Sequence, residues 1–424
     1  GVVRFVCVGM DSSVVGVDKG HRDRRSSSLT TMSMPPPPTI AGSSTAGAGV
    51  PRQIEVLVVD DSPFFRRALS KLIDAEPGMR VVGTARDGKD GLEKAKALRP
   101  NVVTLDVEMP GVDGMTCLRA IKRECNPSPA VLMCSSLTSA GSHAALQALR
   151  FGAAEVIAKD QSTISDKVEA MRDELIAKIR AIAPSGSFPL EAAAAPVRAS
   201  SGLPRVALHE GQVWRIKPEH RFDHDEFGLI VIGSSTGGPP VLEVILSALP
   251  ADLSCPVVVA QHMPVLFTRS LAQRLDEMCN MTVVHAEVGM PLHPGTIYMC
   301  PGGVHTHLVR GAGGKVTIAT SEEPKSELYR PSVNVLFSTA AKVVSGKVLA
   351  VVLTGMGEDG ASGAREVKAR GGTILTQDSA SCVVYGMPKA VVAAGVCDGV
   401  LTPEQIAVML GSLAEVRPAS DAAA

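Results

Sequence analysis

Five short apolar runs recur at near-even spacing through the first half of the chain: Ile54–Val59, Arg80–Ala85, Val102–Leu105, Ala130–Cys134 and Glu155–Ala158. The stretches between them, Phe64–Ile73, Gly88–Leu98, Gly114–Arg123 and Ser142–Arg150, carry apolar residues at helical spacing. Strand-length runs alternating with helix-length segments predict an α/β block, a (βα)5 domain whose parallel sheet has helices on both faces. The second half repeats the logic. Leu229–Ile232, Val257–Ala260, Val348–Leu353 and Thr373–Leu375 read as buried strands, which predicts a C-terminal doubly wound α/β domain with a mainly parallel sheet. Residues 281–320 alternate apolar and polar positions among glycines and predict an insertion of antiparallel hairpins.

The gaps in this pattern set the expected domain boundaries. Residues 1–52 are Ser-rich and pass through Pro35–Pro38 into a Gly/Ala/Ser tract. They bury too little apolar surface to offset ordering entropy and are expected to be a disordered extension, with Met32 or Met34 as the expected true start. Residues 184–226, with their Pro-Ser-Gly-Ser and Ala-rich text, are expected to be an interdomain linker. The folded blocks are then 53–183 and 227–413, followed by a disordered tail at 414–424.

Charge narrows the function classes. Among 424 residues, 42 basic and 43 acidic side chains give a formal net charge of -1, so no basic excess points to nucleic acid or to an anionic membrane surface. Aromatics at 3% leave no base-stacking platform. No run of about 18 apolar residues is present, so no membrane insertion is expected. The nine cysteines form no CxxC pair and are odd in number. They read as reduced thiols of a cytoplasmic protein, with neither a disulfide framework nor a zinc site.

In open α/β sheets, ligands bind beyond the carboxyl ends of the strands. In the first block those ends carry Asp60 and Asp61, Asp106, Ser135 and Lys159. Three clustered carboxylates repel one another and call for a cation. Hard oxygen donors suit Mg²⁺, making Asp60, Asp61 and Asp106 the expected metal residues. Asp106 is then expected to act as nucleophile toward a phosphoryl group whose charge the ion, Ser135 and Lys159 neutralise. A single strand-end aspartate is more often a cap or turn residue; five such groups on one rim favour the functional reading. The text Val58-Val59-Asp60-Asp61-Ser62, Leu105-Asp106-Val107-Glu108-Met109-Pro110, Asp113-Gly114, Ser135 and Lys159 resembles the receiver domain of response regulators across the whole block. The resemblance implies that a partner histidine kinase phosphorylates Asp106 and that Asp60 and Asp61 help hold Mg²⁺. One departure is Asp160, where such domains usually follow the lysine with proline.

The second block opens with Leu229–Pro240, a strand, a tight turn and a helix begun by proline. Gly233-x-Ser235-x-Gly237 matches a nucleophile elbow, and the helix N-terminus behind it favours negative charge. His262, after the next strand, is the expected base for Ser235. Asp359, after Val348–Leu353, is the expected carboxylate that orients the imidazole. The Gly355–Gly357 turn offers backbone N–H groups to an oxyanion. The order Ser, His, Asp differs from the Ser, Asp, His order of α/β-hydrolases, so this is no ordinary lipase or esterase fold. His305-Thr306-His307 alternates as on a strand and mimics a metal pair, but no third ligand stands out. A rival class comes from Gly355-x-Gly357-x-x-Gly360 with Asp378 downstream, the spelling of a dinucleotide fingerprint and hence of a nicotinamide-dependent oxidoreductase. Against it, Asp359 puts a negative charge in the loop that must cradle a pyrophosphate.

Longer motifs add to this reading. Gly233–Gly238, Gln261-His262-Met263-Pro264, Arg330-Pro331-Ser332-Val333, Leu353–Gly360 and Ala380–Pro388 closely resemble the chemotaxis protein-glutamate methylesterase family, over residues 228 to 412. The resemblance implies Ser235 as nucleophile, His262 as base, Asp359 as orienter and the Met356 backbone N–H as oxyanion donor, with no cofactor in this block. It implies as substrate a glutamate methyl ester on the cytoplasmic helices of chemoreceptors, released as methanol, together with deamidation of specific receptor glutamines. Control is expected through the receiver, packed over the rim that bears Ser235 and loosened by phosphate on Asp106. The alternative is a receiver-controlled binding regulator without catalysis.

Overall fold

The structure is a computed structural model that describes residues 53–136, 138–159, 166–183, 214–223, 225–344 and 347–414. The expected extension at 1–52 lies outside the described residues, as do 184–213 of the expected linker, Asp160 and the tail beyond Ala414.

In the first block, strands β1 (Ile54–Val59), β2 (Met79–Ala85), β3 (Val102–Asp106), β4 (Ala130–Ser136) and β5 (Glu155–Lys159) alternate with helices α1 (Pro63–Asp74), α2 (Gly88–Leu98), α3 (Gly114–Glu124), α4 (Ser139–Arg150) and α5 (Asp166–Ile182). The strands form one parallel sheet in the order β2-β1-β3-β4-β5. Central residues such as Val56, Leu57, Val103, Leu105 and Met133 are buried on both faces, as the unbroken apolar runs require. Ser62, Asp87, Asp113 and Thr138 each accept an amide N–H in the first turn of α1, α2, α3 and α4. The loops that start the helices therefore sit at the same rim as the strand-end acids.

The second block contains β6 (Leu229–Ser234), α6 (Gly238–Ser247), β7 (Val257–Gln261), α7 (Val265–Asp276), β8 (Thr282–His285), β9 (Thr296–Met299), β10 (His305–Arg310), β11 (Val316–Ser321), α8 (Val333–Val343), β12 (Val348–Val352), α9 (Ala361–Ala369), β13 (Thr373–Gln377), α10 (Met387–Ala393), β14 (Gly399–Leu401) and α11 (Pro403–Gly411). Seven of its strands make a parallel sheet in the order β14-β13-β12-β6-β7-β9-β8. The chain leaves β6 toward β7 on one side and returns to β12 on the other. That reversal is a topological switch point, where such sheets open a crevice.

The insertion differs in part from expectation. Only β10 and β11 form an antiparallel hairpin, whereas β8 and β9 are parallel to each other and belong to the main sheet. Alternation reports that a strand has two unlike faces; it does not name the neighbour or its direction. The crossover from β8 to β9 uses no helix. Instead it runs along the hairpin: Gly289 N–H donates to Ile318 O (2.8 Å), Ile318 N–H to Met290 O (2.9 Å) and Leu292 N–H to Val316 O (3.0 Å). Borrowed strand pairing satisfies backbone groups that a crossover helix would satisfy internally.

Residues just before β6 pack on the far edge of this sheet. Ile216 N–H donates to Asp398 O (2.8 Å), and Arg215 pairs with the Asp398 carboxylate (3.0 Å). Phe222 meets Phe227 edge-on with centroids 4.9 Å apart, and its N–H donates to Ser412 Oγ (3.0 Å). Ile216 and Phe222 are only 5% and 4% exposed. Burial of such side chains contributes about 1.5–3 kcal/mol each. A catalytic fragment that starts at Phe227 is therefore expected to be less stable than one that starts at Trp214, by roughly 3–6 kcal/mol. Urea denaturation of both checks this, and coincident midpoints would mean the segment contributes nothing.

The two blocks meet through α4 of the first and α6 and α7 of the second. Ser142 Oγ and Ser270 Oγ share a buried 2.7 Å hydrogen bond. His143 Nε2 lies 3.4 Å from Gln273 Oε1. Glu243 bridges Arg274 of its own block (2.5 Å) and Arg150 of α4 (3.4 Å). A cleft of about 340 Å³ lies beside these contacts, lined by residues of α4 and α7. These polar contacts stand beside an apolar core that runs from α4 into α6 and α7.

Candidate functional site

The expected acidic pocket assembles at the carboxyl edge of the first sheet. One carboxylate oxygen from each of Asp60, Asp61 and Asp106 lies within 4.8 Å of the others. Lys159, nearly buried, reaches Asp60 (2.5 Å) and Asp106 (2.8 Å) from β5. Burial pushes the Asp106 carboxyl up to about 6, and the Lys159 ammonium pulls against it. Three carboxylates facing one ammonium leave an excess of negative oxygen donors, a set that fits a small divalent cation. Ser135 stands apart. Its hydroxyl is turned away from this group and donates to Gly141 O (2.8 Å) at the start of α4. Gly141 immediately precedes Ser142, the residue bonded to Ser270 across the block interface. Among the described residues these three aspartates are the one cluster arranged to hold a metal. His305 and His307 spend their rings on Pro324 O and Glu323 O (3.2 Å each), so the histidine pair is structural.

The second site is built around the end of β6. Val333 crowds β6 at Gly233, where a Cβ would stand 2.2 Å from a Val333 methyl, and the chain turns sharply at Ser235, whose N–H donates to Thr354 O (3.0 Å). Gly237 follows with φ 78°, and a Cβ there would lie 2.5 Å from a Val383 methyl. Glycine is therefore required both by conformation and by space. Gly355 is pressed against the elbow, since a Cβ on it would stand 2.8 Å from Ser235 Cβ. Helix α6 begins at Gly238 with no side-chain cap; Gly238 N–H donates to Ser235 O (2.8 Å), and Pro239 and Pro240 carry no N–H, so the first turn is closed by backbone alone. Gln261 ties the elbow to the next strand. It accepts from Ser234 Oγ (2.6 Å) and donates to Ser235 O (2.9 Å). Sequence reasoning gave Gln261 no role of its own, although it opens the Gln261-His262-Met263-Pro264 motif.

His262 follows β7 and Asp359 follows β12, so both reach the rim beside β6. His262 Nε2 hydrogen bonds Asp359 Oδ2 at 2.8 Å in a buried pair. His262 Nδ1 is buried and without a hydrogen-bond partner, and Ser235 Oγ likewise makes no hydrogen bond among the described residues. The structure thus joins the histidine to the carboxylate and leaves the hydroxyl and Nδ1 unengaged. Asp359 is held by a full set of donors: Ser332 Oγ (3.1 Å), Val333 N–H (2.7 Å), Asn334 N–H (2.8 Å) and Gly360 N–H (2.9 Å). Burial works to raise its carboxyl; the bond and charge of His262 and the amides of Asn334 and Val333 outweigh that and hold it below the usual range. Ser332, Val333 and Asn334 form the first turn of α8 and its cap, so a helix N-terminus is aimed at the Asp359 carboxylate.

Backbone N–H groups of Thr236 and Met356 make no hydrogen bond among the described residues, which leaves two donors on either side of Ser235. Met356 was expected from the sequence. Thr236, the residue after the elbow serine, was not, although that position supplies a donor wherever such an elbow occurs. The dinucleotide reading fails on this geometry. Gly355 N–H is committed to Val384 O and Gly360 N–H to Asn334 and Asp359. Asp378 closes a local turn with Ala380 and Ser381. Cys382, close by in sequence to Val383, is pushed by burial up to about 12 and offers no thiolate nucleophile.

Comparison with known proteins finds matches to both blocks. Residues 56–169 match the response regulator receiver domain model, and residues 230–410 match the CheB methylesterase model. The protein-glutamate methylesterase/protein-glutamine glutaminase 1 of Oleidesulfovibrio alaskensis is 43% identical over 369 residues, covering 84% of this chain and 97% of that protein. The chain belongs to the protein-glutamate methylesterase/protein-glutamine glutaminase family. The family member from Thermotoga maritima is 40% identical over 84% of this chain and 97% of its own length. The solved catalytic domain of Thermotoga maritima CheB methylesterase is 44% identical and covers 44% of this chain and 98% of that one, with a TM-score of 0.43. In this methylesterase family chain the receiver match precedes the methylesterase match. No helix among the described residues is long and apolar enough to cross a membrane.

Proposed function

We propose that the chain is a receiver-controlled serine hydrolase that demethylates glutamate methyl esters on chemoreceptor helices and deamidates specific receptor glutamines. The observation that carries this reading is the 2.8 Å bond between His262 Nε2 and Asp359, which leaves Nδ1 as the nitrogen free to accept a proton at the rim of the Ser235 elbow. Ser235 Oγ attacks the ester carbonyl as its proton passes to His262. The oxyanion is received by the N–H groups of Met356 and Thr236. His262 then protonates the departing methoxide, and methanol leaves an acyl-serine. Water, deprotonated by the same imidazole, adds to the acyl group and releases the receptor glutamate. With a glutamine, ammonia leaves in place of methanol.

Asp106 is the proposed phosphoacceptor, with a histidine kinase as donor and the cytoplasm as the compartment. Asp60, Asp61 and Asp106 would hold Mg²⁺, which supplies charge neutralisation for phosphoryl transfer. Lys159 lies where it can pair with a phosphoryl oxygen on Asp106. Ser135 would release Gly141 O to do the same, and that release acts on the start of α4, next to the Ser142–Ser270 contact. A shift of α4 changes its packing on α6 and α7, the helices that leave the rim after Ser235 and His262. Ser235 is 7% exposed, and a shift of these helices would open the rim to a receptor helix.

Methanol release from methylated receptor membranes, followed in time with and without a small phosphodonor, tests the assignment. Wild type is expected to accelerate with the donor. Asp106→Asn, or chelation of Mg²⁺, is expected to remove phosphate uptake and that acceleration while leaving basal release. Acceleration that survives in Asp106→Asn would refute control through the receiver.

A further inference from the structure

We propose that Tyr329 is a positioning residue for the hydrolase triad, whose ring fixes the plane of His262 and stabilises the imidazolium that forms there; the proposal rests on the serine-hydrolase reading above. The Tyr329 and His262 rings are stacked, with centroids 4.3 Å apart and planes 16° from parallel. The turn on the other side of the site lies near this ring: a Cβ built on Gly357 would stand 4.0 Å from Tyr329 Cε2. Tyr329 therefore packs against the base and borders the turn that carries the Met356 N–H.

The same short segment supplies the rest of the base's support. Three residues after Tyr329, Ser332 donates to Asp359, and Val333 and Asn334 add their amides. In-plane, His262 is held by a single bond at Nε2, while Nδ1 has no partner. One bond fixes a pivot and leaves the ring free to rock about it. A stacked aromatic face removes that freedom without occupying the nitrogen that must accept the serine proton. When the proton arrives, the cation lies against the electron-rich face of the phenol ring, an attraction that exists only after proton transfer. An interaction realised in the transition state raises turnover more than substrate affinity.

Charges of both blocks act on the Tyr329 hydroxyl. Burial pushes this hydroxyl up, Lys178 of α5 acts against that push, and Asp359 and Glu174 of α5 add to it. The ring thus lies on the base and near the Gly355–Gly357 turn.

The test uses the full chain with a phosphodonor and methylated receptor membranes. Tyr329→Phe keeps the ring face and is expected to stay within about twofold of wild type in kcat. Tyr329→Leu, apolar but not aromatic, is expected to lose about tenfold in kcat with KM within about twofold. Labelling of Ser235 by a fluorophosphonate, which needs no receptor, should slow by the same factor in the leucine variant. Equal rates for the two variants, or a loss confined to KM, overturns the proposal. If Tyr329→Leu has a lowered unfolding midpoint, Tyr329→Met repeats the comparison: the same loss upholds the proposal and a wild-type rate overturns it. Wild-type labelling that is lost in Ser235→Ala checks the underlying hydrolase reading separately, so its failure and that of Tyr329 are distinguishable.

Discussion

Replacing Ser235 with alanine is expected to lower methanol release by about 10⁴-fold or more, equivalent to about 5 kcal/mol of transition-state stabilisation. The hydroxyl sits on a turn that the fold has built for it. Thr354, Gln261 and the close approach of Gly355 lock the backbone around it, and alanine fits the same turn. The loss should therefore be chemical and not structural. Unfolding midpoints of the variant and wild type should agree, and the receiver should still take up phosphate on Asp106. Residual activity is expected because the amides of Met356 and Thr236 remain in place to receive an oxyanion. Methanol release near the wild-type rate would mean that another nucleophile attacks the ester.

Asp359→Asn is expected to cost about as much, roughly 10³–10⁴-fold in kcat, for a different reason. The carboxylate accepts from five donors: three on Oδ1 (Ser332, Asn334, Gly360) and two on Oδ2 (His262, Val333). An amide has one acceptor oxygen, so its NH₂ must face one of these sets. Facing Oδ1 it meets three donors; facing Oδ2 it meets two, and that orientation is the less unfavourable. The NH₂ then points at His262 Nε2 and selects the tautomer protonated at Nδ1, the nitrogen that has to accept the serine proton. The unmatched donors also destabilise the fold by about 1–3 kcal/mol. Steady-state kinetics with a parallel thermal melt separates the two losses. A variant that melts lower but turns over within tenfold of wild type would remove Asp359 from the orienting role.

The candidate site was more legible than its supports. Ser235, His262 and Asp359 each follow an apolar run at the point where a buried strand must end, so a reading of strand ends reaches all three. Asp60, Asp61, Asp106 and Lys159 are found by the same argument in the first block. Gln261, Thr236 and Tyr329 were given no role. Gln261 and Tyr329 act by touching residues remote in sequence, and no local pattern announces such a contact. Thr236 acts through its backbone, to which side-chain chemistry is blind. The direction of β8 and β9 was misread because alternation records burial of one face and says nothing about the partner. Ser135 is on the rim as expected, yet its hydroxyl is bonded to Gly141, a choice of rotamer that only packing at the start of α4 makes.

Taken alone, the order of apolar runs and turn residues determined two α/β blocks, their parallel sheets and the set of polar residues at each carboxyl edge. It did so because burial and backbone pairing are local demands that every strand must meet in its own text. Only the tertiary structure decided that β6 lies between β7 and β12, which brings the His262–Asp359 pair to the elbow. It alone decided that Tyr329 stacks on that histidine and that α4 rests on α6 and α7. Those are contacts between segments tens of residues apart, and their energy depends on shape and donor geometry that exist only after the chain has closed.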